Sequence, residues 1–238
     1  MASGYDGFTR MQIQDEVLLL GIKRNVWRHN DPKALQADAE FKVKRPAFLE
    51  KARYVCAACK WRSNRNQVHH RNNNHHDNRE ENYACRDVFC HAYEHTGEPS
   101  KTGDANNPAL GASTAIAYIP EVEASDLNLL QRAIGAVLAD EATSEEEKAI
   151  ALDVLKRFHA RIEPAAKMLG SAKPVDLAAG MAQLSNDEYD RRGVALRPMR
   201  LLFNIGLLKR EGGFMKQEYP GVPISSWPAV AAQIRGRE

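Results

Sequence analysis

The chain has 238 residues, enough for one sizeable domain or two small ones, and its 43% hydrophobic and 27% charged content is that of a packed protein rather than a disordered one. Its 33 basic and 31 acidic residues leave a net charge of +2, so no global field draws it to nucleic acid or an anionic membrane, and any such contact must be local. The longest apolar run, residues 17–22, is far short of the roughly 20 residues a membrane span requires, and the opening MASGYDGF lacks the pattern of a secretory signal.

Residues 17–22, VLLLGI, are short and apolar and read as a buried strand. Pro46 suits the first turn of a helix through Phe48, Leu49 and Ala52, which delivers the chain to Cys56. Residues 99–113 are rich in Gly, Asn and Pro without an apolar period, which marks a linker between an N-terminal module, 1–98, and a C-terminal region, 114–238. The stretch TAIAYIP predicts a short strand that Pro120 ends. Ser125 predicts a helix cap, with Leu127, Leu130, Ile134, Val137 and Leu138 on one face. Ser144 with Glu147 forms a capping box for a second helix, whose apolar stripe runs from Ile150 to Ile162 before Pro164 interrupts it. Pro174 opens a third helix, Pro198 a fourth through Leu201, Leu202, Ile205 and Leu208 that Gly212 and Gly213 close, and Ser226 a terminal one reaching Ile234. The C-terminal region is expected to be mostly helical and the whole chain α+β.

Residues 54–95 hold all four cysteines and most of the histidines. Cys56-x2-Cys59 and, after 25 intervening residues, Cys85-x4-Cys90 supply four soft thiolates in two close pairs, the arrangement a structural Zn2+ ion takes. Such an ion would contribute folding free energy to a segment with few large aliphatic residues. Clustered cysteines in a chain expected to be cytoplasmic more often hold metal than form disulfides. Unrelated buried cysteines are the bland alternative, and their confinement to a 35-residue window weighs against it. In a variant of the zinc reading His91 or His95 stands in for Cys85 or Cys90, since imidazole is an equally acceptable donor.

Between the cysteine pairs lie Val68-His69-His70, then Asn72, Asn73, Asn74 and Asn78; after Cys90 come His91 and His95, four apart and on one face of a helix. This order resembles the HNH endonuclease family. That resemblance implies His69 as a ligand, His70 as general base, Asn74, Asn78 or Asn82 as loop orienter, and His91 or His95 as the further ligand of a second divalent metal. The metal would stabilise charge on the scissile phosphate of DNA while an imidazole activates water. His75, His76 and the asparagines beside them read more simply as a polar loop, and no strip of Lys and Arg interleaved with aromatics marks a DNA-binding surface.

KARYVCAACKW, residues 51–61, and TAIAYIPEVEASDLNLLQRAIGAVLA, residues 114–139, resemble the IcmJ/DotN family of type IVB (Dot/Icm) secretion and related conjugation systems, over roughly residues 16–139. The resemblance implies an HNH-like (ββα-metal) zinc-binding module reused as a structural subunit, followed by a mostly helical C-terminal region. Cys56, Cys59, Cys85 and Cys90 would hold the structural zinc, and no catalytic residue is expected. The chain would be cytoplasmic, attached to an inner-membrane secretion complex without inserting in the membrane. Its partners would be the C-terminal tail of the type IV coupling ATPase and other coupling-complex subunits. The His69-His70 pair, the Cys90-His91…His95 run and the x4 spacing depart from the family pattern. A metal-dependent HNH-type DNA endonuclease is therefore the alternative expectation, and a zinc module that binds nucleic acid without cutting it is a third.

Overall fold

Helix α1 (Pro32–Lys51) is the first regular element of the computed structural model, which describes residues 17–23, 32–98 and 114–235. Pro46 falls inside this helix rather than at its start, and Phe41, Phe48 and Leu49 of α1 pack on the hairpin that follows. Strands β1 (Gln67–His70) and β2 (Tyr83–Arg86) pair antiparallel, Val68 opposite Cys85 and His70 opposite Tyr83. Helix α2 (Val88–Glu94) begins two residues later, its N-terminus capped by the Asp87 side chain.

The C-terminal region is built on a second antiparallel ribbon, β3 (Thr114–Tyr118) with β4 (Met199–Phe203). Between the two strands run α3 (Ala124–Ala139), α4 (Glu145–His159), α5 (Ile162–Leu169), α6 (Pro174–Gln183) and the short α7 (Asn186–Asp190) and α8 (Gly193–Leu196). Helices α9 (Ile205–Glu218) and α10 (Trp227–Arg235) follow. The mixture of helices with two small sheets agrees with the α+β expectation. Among the described residues no helix is long and apolar enough to cross a membrane. The expected linker, 99–113, lies outside the described residues.

A two-stranded ribbon has two open edges, and buried backbone groups there must find partners elsewhere. On the β4 edge, Leu201 N donates to the Tyr93 hydroxyl at 2.9 Å, Gln131 Nε2 donates to Leu201 O at 3.1 Å, and Phe203 N donates to Gln131 Oε1 at 2.9 Å. On the β3 edge, Ile116 N and Tyr118 N donate to the carbonyls of Ala172 and Arg161. Side chains from α2 and α3 thus close one edge, and backbone flanking α5 closes the other.

The same accounting explains why residues 17–22 are not a strand. Leu18, Leu20 and Ile22 are buried as expected, but the backbone is bonded by Tyr93 O, Thr96 N, the Tyr189 hydroxyl and Arg192 Nε, not by another strand. The expected fourth helix is likewise replaced: all five residues of β4 are buried in the ribbon, and the helix proper starts at Ile205 with Asn204 as its cap. The capping box of Ser144 and Glu147 is present, whereas α3 starts at Ala124, one residue ahead of the expected cap. Leu127 and Ile134 of α3 are buried and Leu130 is 38% exposed, so most of that stripe is core.

Gly212 and Gly213 do not end α9; they lie inside it, where α9 crosses α3. A Cβ added to Gly135 would lie 2.1 Å from the Leu208 carbonyl oxygen, and one added to Gly212 would lie 2.1 Å from the Gly135 carbonyl carbon. The two backbones meet because neither residue has a side chain. One added to Gly213 meets nothing within 4 Å. Gly135→Ala is therefore expected to destabilise the protein by about 3 kcal/mol in urea denaturation through overpacking. Gly213→Ala should leave stability unchanged or raise it by up to about 1 kcal/mol, the helix-propensity difference.

Candidate metal centre

Cys56 and Cys59 sit on a tight turn after α1. Lys60 N donates to Cys56 O at 3.1 Å, Cys56 N donates to Trp61 O at 2.9 Å, and Lys60 adopts a left-handed φ of 62°. A non-glycine residue in that region is uncommon, and both cysteines of this turn are buried. Cys90 joins them from the first turn of α2. The three sulfurs are buried and lie within 4.8 Å of one another. All four cysteines are free thiols.

Cys85, expected as the fourth ligand, is not one of that group. It lies opposite Val68 in the hairpin and packs in a small apolar cluster with Leu49, Val68 and Tyr83. Burial pushes its thiol up to about 12. The other three behave differently: Cys59 and Cys90 donate hydrogen bonds to Cys56, which drives the Cys56 thiol down and raises theirs. A soft cation bound there would hold the sulfurs as thiolates.

Polar groups from α3 back this cluster. Asn128 Nδ2 lies 3.4 Å from Cys90 Sγ, positioned to donate to it. Arg132 is paired with the buried carboxylate of Asp87, and its guanidinium lies over the rings of Phe89, at 4.7 Å, and Trp61, at 5.1 Å. Asp87 in turn accepts from the amides of Phe89 and Cys90 at 3.3 and 3.4 Å. The residues fit a zinc ion on the chemistry of their donors: buried, unoxidised, sulfur-rich and hydrogen-bonded from outside.

A second group gathers on the face of the hairpin that meets α2. His69 of β1 and His91 and His95 of α2 bring one nitrogen each within 4.8 Å of the others. The Nε2 atoms of His91 and His95 are 3.1 Å apart, His91 Nδ1 contacts Gln67 Oε1 at 2.7 Å, and Glu98 Oε1 lies 3.3 Å from His95 Nδ1. Burial, with His95 and Arg86 adding to it, pushes His69 down to about 2, and burial also holds His91 well below its usual value. These two imidazoles are neutral at pH 7, the form that binds metal.

Strand alternation sends His70 to the opposite face. Its ring stacks on His75 at 4.6 Å and packs against Phe41 at 5.0 Å and Tyr83 at 5.1 Å. Its Nε2 meets Asn78 Oδ1 at 3.2 Å, an oxygen that also accepts from the Tyr83 hydroxyl, while Asn78 Nδ2 donates to Ala37 O of α1. Of the three candidate orienting asparagines, Asn78 touches His70. Asn82 pins the loop by accepting from Asn72 N and donating to Asp77 O, and Asn74 makes a local turn with His76 N.

Sequence reasoning missed Asp87, Asn128 and Arg132. Asp87 carries a readable signal, since Asp87-x2-Cys90 repeats the spacing of Cys56-x2-Cys59. The chain matches no protein-family model and no curated protein sequence.

Removing one partner of a buried ion pair strands the other charge. Arg132→Leu is therefore expected to cost about 3–5 kcal/mol in urea denaturation. Arg157→Ala, which breaks an exposed pair with Asp153, should cost no more than about 0.5 kcal/mol.

Proposed function

We propose that this chain is a zinc-stabilised structural adaptor, a subunit of a type IVB secretion or conjugation coupling complex that binds the C-terminal tail of the coupling ATPase. The observation that carries its non-catalytic character is the packing of His70. A general base must reach the water it activates. This ring is 3% exposed beneath Phe41 of α1, and its Nε2 is engaged by Asn78.

The thiol cluster supports a structural role for metal, since its sulfurs are backed by α3 and the packed core continues from Cys56 and Cys90 through Ile134 to Leu208. The secretion assignment is supported by the resemblance of residues 51–61 and 114–139 to the IcmJ/DotN family. Those stretches supply Cys56, Cys59, Asn128 and Arg132, so the resemblance and the cluster share residues. An extended tail would bind as a helix in a groove or as an added strand. The site of action would be the cytoplasmic side of an inner-membrane complex.

One observation favours the second reading, a metal-dependent HNH-type endonuclease: His69, His91 and His95 each bring a ring nitrogen within 4.8 Å of the others. A divalent ion held by them would supply charge stabilisation at a phosphate. The two readings separate in one pair of experiments. Titration calorimetry of the zinc-loaded protein against the tail of the coupling ATPase from the same locus should show a stable complex, and duplex DNA incubated with Mg2+, Mn2+ or Ni2+ should remain intact. Metal-dependent cleavage that His70→Ala abolishes, with no binding of the tail, would reverse the assignment.

A further inference from the structure

A structural zinc site is tetrahedral and closed, so three sulfurs leave one position to fill. Two candidate donors are Cys85, on β2, and Asp87, at the mouth of α2. Neither has a donor atom within 4.8 Å of all three clustered thiols, and Cys85 is turned toward Leu49, Val68 and Tyr83. Asp87 is 1% exposed, and its Oδ2 lies 3.7 Å from Cys59 Sγ. Two ligands on one tetrahedral zinc, with bonds of about 2.3 Å to sulfur and about 2.0 Å to oxygen, sit about 3.5 Å apart. The separation from Cys59 is a ligand-to-ligand separation.

The two carboxylate oxygens have different surroundings. Oδ1 is held by Arg132 and by the Phe89 amide, while Oδ2 accepts from the Cys90 amide at 3.4 Å and from the Cys59 thiol at 3.7 Å. An outer cation that fixes one oxygen and leaves the other for the metal is the usual support of a carboxylate ligand. The sequence spacing agrees, because Asp87 and Cys90 stand three apart at the helix start as Cys56 and Cys59 do on their turn. Charge agrees too. Three thiolates and a carboxylate around a divalent ion leave a buried double negative charge, and the Arg132 guanidinium against Asp87 halves it.

We propose that Asp87 is the fourth ligand of this centre, bound through Oδ2, and that Cys85 is not a ligand. The inference rests on the reading of the thiol cluster as a zinc site, and metal content of the wild-type chain tests that reading by itself. Purified full-length protein should contain one zinc, and its X-ray absorption should fit three sulfurs at about 2.3 Å with one oxygen or nitrogen at about 2.0 Å. Cys85→Ser should keep both the stoichiometry and that spectrum. Asp87→Cys should convert the site to four sulfurs, which separates Asp87 from a histidine or water in the fourth position. Asp87→Asn should weaken zinc at least about 10-fold in chelator competition, the lower end of what loss of even an outer partner costs. Because Asp87→Asn also loosens the Arg132 pair, the cobalt-substituted wild type gives an independent reading, with a tetrahedral spectrum of mixed sulfur and oxygen donors. Four sulfurs in the wild type falling to three in Cys85→Ser would overturn the proposal. So would three sulfurs persisting in Asp87→Cys, and absence of zinc from the wild type would remove the zinc reading along with it.

Discussion

The buried pair of Asp87 and Arg132 is the contact on which the rest of this structure depends. The carboxylate caps α2, stands beside the three sulfurs, and binds a guanidinium that α3 contributes from 45 residues along the chain. Charges this deep persist only when paired and hydrogen-bonded. Each element that meets there is thereby fixed to the others: the 56–61 turn through its thiols, α2 through its first turn, and α3 through Arg132 and Asn128. From α3 the constraint passes to β4 through Gln131 and to α9 through the Gly135 and Gly212 crossing.

The histidines show how a two-residue period decides chemistry. His69 and His70 are neighbours, yet one joins His91 and His95 while the other is sealed with Phe41, His75 and Tyr83 beneath α1. A ligand and a base can serve one reaction only if both face the same substrate. The packing of α1 over His70 leaves the histidine group as a set of metal donors and makes Asn78 a tie between helix and hairpin. The same helix buries Cys85 by covering the apolar face of the hairpin, so one packing choice sets the surroundings of both His70 and Cys85.

What could be read from the sequence was whatever depends on near neighbours. The capping box of Ser144 and Glu147, the strand ended by Pro120 and the thiol turn at Cys56 and Cys59 are all local devices, and each is present. Residues 199–203 were misread because an apolar run before Ile205 suits a helix as well as a strand, and the choice is made by pairing with Thr114–Tyr118, far away in the chain. The glycine pair in α9 was misread as a stop because its reason is the α3 backbone, invisible to a local pattern. Asp87 was passed over because counting cysteines fixes attention on sulfur. The same count grouped Cys85 with the other three cysteines, whereas its strand register with Val68 places it in an apolar cluster.

Hydrogen exchange followed by mass spectrometry, on the zinc-loaded protein before and after chelation, addresses most directly whether the thiol centre joins the hairpin segment to the helices. If Asp87, Asn128 and Arg132 transmit the metal's constraint, chelation should reduce protection in α3 and β4 together with α2 and the 56–61 turn, as one cooperative unit. Loss of protection confined to residues 54–98, with α3 and β4 unchanged, would contradict it.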